Sequence, residues 1–407
     1  MRQHIIAAAV AFAVASPAFA QSSVTLYGVI DTGINWTSNA QTASAHSPLG
    51  RTGGSQWSMT SGEYRPSRWG LKGTEDLGDG YKGIFTLESG FGVNNGAFQQ
   101  GGTFLGRQAF VGIDAPWGTV TLGRQYDSLV DVTNVMQGGT AAGSFADHPG
   151  DIDNVANNIR VNNSVKFTSK TWRGLYVTGL YGFGGVAGNF GKNSVWSVGT
   201  SYSGGPVTLA AGYIHANNPN QSWWGNMANG SSTGNNLSTL TGVITNPIDG
   251  GFASARTYQV VGLDGQYDFG RTQIGVNYTN TSFQNLGYAG SGNLALTNPL
   301  GYSGTATFNN YMVFARSFVT PTLELGAAYD FLYGGRVNDK PSAHYHQFNL
   351  AAIYFLSKGT DVYLAAGFMK ASGTDSTGQP AVPYFILATA SNKSTQSIVR
   401  IGIHTQF

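Results

Sequence analysis

The sequence predicts an all-β chain, a 16-stranded antiparallel transmembrane β-barrel, and three observations carry that prediction. Composition is the first. Of 407 residues only 10% are charged, 13% are aromatic and 58 are glycine, against roughly 25% charged residues and roughly 7% glycine in an ordinary soluble domain. The second is a period-two alternation of apolar and polar residues that runs up to the last residue of the chain, the pattern of strands with one apolar and one polar side. The third is an asymmetry of connections. Short turn signals alternate with long loops rich in Gly, Asn and Ser, so all turns fall at one end of the sheet and all loops at the other, as in outer-membrane barrels.

The elements follow in chain order. MRQHIIAAAVAFAVASPAFA has the basic start, apolar stretch and Ala18-Phe19-Ala20 of a secretory leader, too short and wrongly flanked for a spanning helix. Residues 1–20 are therefore read as a signal peptide and 21–407 as the barrel. The absence of cysteine suits passage through an oxidising compartment. In VTLYGVIDTGI, Val24, Leu26, Ile30 and Ile34 share one face, while Thr25, Tyr27, Asp31 and Asn35 share the other. In GYKGIFTLESGF, Tyr81, Phe85, Leu87 and Phe91 oppose Lys82, Thr86 and Glu88.

Tight turns are expected at 78–80, 116–118, 172–174, 203–206, 269–271, 320–322 and 357–360, where Gly and Pro supply the backbone geometry. Seven hairpins plus a first and a last strand make sixteen. Long loops are expected near 38–62, 92–103, 127–159, 184–193, 217–253, 283–305, 334–342 and 372–394. The chain closes on SIVRIGIHTQF, with Val399, Ile401, Ile403, Thr405 and Phe407 on one side. Backbone groups inside lipid must all be paired, so the last strand must meet the first. Phe407 then belongs in the aromatic girdle at the turn end, and this strand resembles the signal that barrel-assembly machinery recognises.

SSVTLYGVIDTGI, SRWGLKGTEDLGDGYKGIFTLESGF, GRQAFVGIDAPWGTVTLGRQYD and RVNNSVKF resemble the successive strands of the general porins of Gram-negative bacteria, in their beta-proteobacterial form. The resemblance runs from Ser22 to Phe407. It implies a homotrimer of water-filled barrels in the outer membrane, in contact with lipid and lipopolysaccharide, passing ions and small hydrophilic solutes. It also implies that the third loop, about 127–159, folds into the lumen. Arg68, Arg107 and Arg160 match positions of a basic wall, and parity adds Lys72. Glu88 matches an acidic wall position, and Asp131, Asp147, Asp151 and Asp153 of the third loop are candidates to oppose the arginines. Opposed charges across a narrow pore would set which solutes pass, and the basic wall predicts a weak anion preference. The second loop, GVNNGAFQQGGTF, lacks the carboxylate with which relatives latch a neighbouring subunit, leaving Arg124 as the candidate trimer contact.

Other readings have less behind them. His344 and His346 share an outward face without a third ligand nearby, and DHPGDIDN lacks the glycine and distal glutamate of a calcium loop. No metal or cofactor is expected. Trp223 and Trp224 read as loop packing or a rim anchor. The small formal charge of +2 gives no indication of a nucleic-acid partner. Two alternatives stand beside a diffusion channel: a substrate-specific channel, and a barrel enzyme that would need Ser, His and an acid to meet.

Overall fold

The computed structural model describes residues 22–42, 52–220, 246–288, 298 and 300–407. Residues 1–20 of the expected leader and the Trp223–Trp224 pair lie outside the described residues. The sheet contains β1 (Ser23–Gln41), β2 (Gly53–Ser61), β3 (Arg68–Gly78), β4 (Tyr81–Gly90), β5 (Gln108–Ala115), β6 (Gly118–Gln125), β7 (Val161–Ser169), β8 (Leu175–Gly182) and β9 (Val195–Gly204). It continues through β10 (Val207–Asn217), β11 (Thr257–Asp268), β12 (Thr272–Leu286), β13 (Gly304–Thr320), β14 (Leu323–Gly334), β15 (Ala343–Phe355), β16 (Thr360–Gly373) and β17 (Thr395–Gln406).

All pairings are antiparallel, and the sheet closes where β1 meets β17, from Val29 opposite Gln406 to Thr37 opposite Ile398. The outer half of β1 pairs with β2 and its turn-side half with β3. β2 and β3 are thus two halves of one stave, interrupted at Gly62–Ser67, and the barrel has sixteen staves. Each turn falls where the sequence places it. At the first, Asp79 and Gly80 take φ of 52° and 81°, the two left-handed residues that a tight hairpin of matching twist requires. The first loop is shorter than expected, because β1 runs on to Gln41 and β2 begins at Gly53.

The alternation has the inverted polarity of a membrane barrel. Val24, Leu26, Ile401 and Ile403 are exposed on the outside, while Asp31, Asn35 and Arg400 are buried within. The broken stave is pinned from inside. Arg400 donates to Asp31 (3.0 Å), Glu63 (3.2 Å), Asn35 (2.8 Å) and the Tyr363 hydroxyl (2.6 Å). The Ser67 hydroxyl donates to the Asp31 carbonyl at 3.0 Å. A buried arginine is stable only with partners of this number and charge, and here they fold residues 62–67 out of the stave.

Residues 126–160, the third loop, lie against the inner wall. They carry α1 (Ser128–Thr133), capped by Asp127 at the Val130 amide (3.0 Å), and α2 (Gly138–Ala142). Small wall residues make room for them. A Cβ at Gly212 or Gly262 would sit 2.8 Å from Leu129, and one at Gly199 only 2.4 Å from the Ser128 carbonyl. The largest apolar cluster fills the loop end of the barrel. It joins Phe145 and Ile152 of the third loop to Ile248 and Phe252, to Phe283 and Phe308 of the wall, and to Phe385 of the last loop.

Candidate functional site

Beside the third loop lies a cavity of about 440 Å³. Its charged lining is Arg65, Arg68, Arg107 and Arg160 against Glu88 and Asp147. Strand register explains the wall side. In the β3–β4 ladder Arg68 pairs with Gly90 and Gly70 with Glu88, so both charges project from the same face. Arg107 stands just before β5 and Arg160 just before β7, where each chain segment enters the wall. Arg65 comes from the break in the second stave, which turns it toward the cavity with its guanidinium over the Tyr64 ring (5.4 Å).

Tyr126 organises this array. Its hydroxyl accepts from Arg107 (2.8 Å) and donates to Glu88 (2.9 Å), and its ring lies beneath both Arg107 (5.8 Å) and Arg160 (5.4 Å). Such cation–ring contacts hold guanidinium groups side by side despite their like charge. Glu88 also accepts from Arg107 Nε (2.7 Å) and the Tyr27 hydroxyl (3.0 Å), with Arg68 Nε at 3.6 Å. Its charge is committed to the wall. Lys72 lies lower on the same face, over the Tyr27 ring at 5.5 Å.

The candidate acids of the third loop separate into different places. Asp147 lines the cavity, and burial pushes its carboxyl up to about 7, against the pull of His148. Asp131 pairs with Lys166, away from the cavity lining. Asp151 accepts from the amides of Ala156 (2.8 Å) and Asn158 (3.2 Å), a local turn. Asp153 is fully buried and bonds His148 (2.5 Å) and the Thr279 hydroxyl, fastening the loop to β12. Burial opposes the charge of His148, but Asp153, Asp330 and Asp147 outweigh it and hold the imidazole up at about 10. The same ion pair keeps Asp153 below the usual carboxylate range despite its burial.

Lys72, Asp131, Asp151 and Asp153 are not part of the cavity lining, and two further expected residues lie outside it as well. Arg124 Nε donates to the Gly106 carbonyl at 2.9 Å, and its Nη1 donates to Asn162, tying the base of the second loop to β7. Phe407 exchanges backbone hydrogen bonds with Gly28 (3.0 and 3.2 Å) and lays its exposed ring over that glycine. On the outer face, His344 and His346 pack against Tyr333 and Phe331 in an aromatic belt.

The barrel fold agrees with the comparisons to known proteins. The profile of the Gram-negative porin family matches residues 7–374. The chain belongs to that family. An outer membrane porin of Bordetella pertussis is 29% identical over 393 residues, covering 91% of this chain and 94% of that one. Outer membrane porin protein 32 of Delftia acidovorans is 28% identical over 426 residues, covering both chains entirely. Among solved structures, an anion-selective porin from Comamonas acidovorans superposes with a TM-score of 0.68 at 21% identity, covering 95% of this chain and 100% of the other. The trimer form of OmpT from Vibrio cholerae gives 0.61 at 16% identity, over 95% and 99%.

As a member of the family, this porin is a multi-pass outer-membrane barrel. It forms a water-filled channel for ions and small hydrophilic solutes, and its membership points to a channel rather than an enzyme. Sequence reasoning missed three parts of the cavity lining: Arg65, Tyr126, and the pair Ile386 and Leu387 of the last loop. A signal for Arg65 was present in SGEYRPS, where Gly62 and Pro66 bracket two charged residues, a composition that marks a break rather than a strand.

Proposed function

We propose that the cavity beside the third loop is the constriction of the channel and that its arginine excess gives a weak preference for anions. One observation carries this reading: four guanidinium groups share the lining with two carboxylates, one of which, Glu88, is already engaged by the wall. A low-dielectric wall focuses such an imbalance onto any ion in the throat. The anion-selective Comamonas porin that this fold resembles lends support, as does the trimer form of the Vibrio protein for a trimeric assembly. In that assembly we assign Arg124 and the second loop to the subunit contact, Arg124 acting through the Gly106 carbonyl rather than through a second-loop acid. We assign the apolar outer face to lipid and lipopolysaccharide, and the last strand to recognition during assembly. The leader is read as removed on export.

The test is planar-bilayer recording of the refolded protein across a potassium chloride gradient. A reversal potential of anion-preferring sign and closure in three equal steps are expected. A cation-preferring potential would refute the role given to the arginines, and single-step closure the trimer.

A further inference from the structure

The arginine side of the throat has an apolar counterpart. Ile386 and Leu387, from loop 374–394, line the same cavity as Arg65, Arg68, Arg107 and Arg160. Leu387 is 49% exposed there and holds φ at 65°. Every other non-glycine residue at positive φ among the described residues is Asn, Asp, Gln or Arg. Leucine in this left-handed region is rare and strained, and such strain persists only where the surroundings over-determine it.

The surroundings here are firm. The Gly150 amide donates to the Tyr384 carbonyl (3.2 Å), Ala388 to Phe385 (3.1 Å) and Ser391 to Pro383 (2.9 Å). Phe385 is fully buried, edge-on to Phe145 at 6.4 Å. The loop is thus anchored on both sides of a leucine that it presents to a charged, water-filled space. Arg160 also lines that space, and its Nε is buried behind it with no hydrogen-bond partner among the described residues.

We propose that the throat selects small organic anions with a hydrocarbon flank: monocarboxylates bearing a branched or aromatic group. The inference rests on the anion reading above and goes further, to the class of solute. The carboxylate takes paired N–H donors from the arginines, the geometry that guanidinium offers best. The hydrocarbon part leaves water against Leu387 and Ile386. A volume of about 440 Å³ lies in the range of small-molecule sites. A solute that touches both sides dwells longer in the throat and interrupts chloride flow more often.

The experiment measures block of chloride conductance in planar bilayers by sodium acetate, isovalerate and benzoate, at about pH 8 where carboxylates are ionised. Isovalerate and benzoate are expected to half-block at concentrations roughly five-fold below acetate, the gain from covering part of one hydrocarbon group. Leu387→Asn, which tolerates the same backbone conformation, should bring the three concentrations together. Leu387→Gly serves as the second variant and should behave alike. Equal block by all three acids in the wild-type porin would overturn the proposal and leave the anion reading standing, as would a Leu387→Asn channel that still discriminates. A cation-preferring reversal potential would remove both.

Discussion

Replacing Arg65 by glutamine removes one charge from the throat with little else. The side chain is exposed and stands over the Tyr64 ring, outside the bonded network of Arg107, Tyr126 and Glu88. A sphere of about 440 Å³ has a radius of about 4.7 Å, so the lost charge acts on a central ion from about 5 Å. At a water-like dielectric constant this is worth about 0.8 kcal/mol, and screening at about 0.1 M salt leaves about 0.5 kcal/mol. The anion loses that much and the cation gains it, each about 2.3-fold in permeability, so the anion-to-cation ratio should fall about five-fold. Reversal potentials across a potassium chloride gradient measure the ratio directly. Asp131→Asn, which alters a charge paired with Lys166 away from the cavity lining, is the control and should change it less than about two-fold. A wild-type ratio in Arg65→Gln would mean that the broken stave does not present its arginine to the ion path.

Further outcomes follow from the same geometry. Asp147, with its carboxyl near 7, is ionised above that pH and neutral below it. Anion preference should therefore strengthen as pH falls through about 7, and Asp147→Asn should show the stronger preference at both ends of that range in reversal-potential titrations. Gly199→Val would place a side chain where the Ser128 carbonyl already lies 2.4 Å from the Cβ position. It should push α1 off the wall, at an overpacking cost of about 1–3 kcal/mol, and lower single-channel conductance; an unaltered conductance would contradict the docking. Arg400→Ala strands Asp31 and Glu63 without their buried cation and should destabilise the barrel by about 3–5 kcal/mol, read as a lower unfolding temperature in detergent. Adding Asp31→Asn and Glu63→Gln should recover part of it.

The wall was legible because its rules are local. Val24 to Asn35 and Val399 to Phe407 alternate with the strand period, and each turn announces itself in two to four residues. The throat was legible only where a charge belongs to a strand or to the residue just before it, as with Arg68, Glu88, Arg107 and Arg160. Loop residues obey no period. Asp151 and Asp153 carry the same charge as Asp147 within seven positions, yet one closes a turn, one grips His148, and one faces the cavity. Arg65 escaped for a different reason. What turns it inward is Arg400, 335 residues later in the chain (400 − 65), through Glu63 and Asp31. No neighbouring residue could report that contact.

The apolar cluster at the loop end gives this porin two interiors with opposite solvent demands. Its wall keeps greasy side chains outward and depends on lipid or detergent around it, whereas Phe145, Ile248, Phe252 and Phe385 pack together out of water as in a small soluble protein. A mild chaotrope weakens the second kind of packing, while the closed ladder of backbone bonds holds the first. Partial denaturation should therefore produce a wider channel that still spans the membrane but sieves less, before it produces an unfolded one.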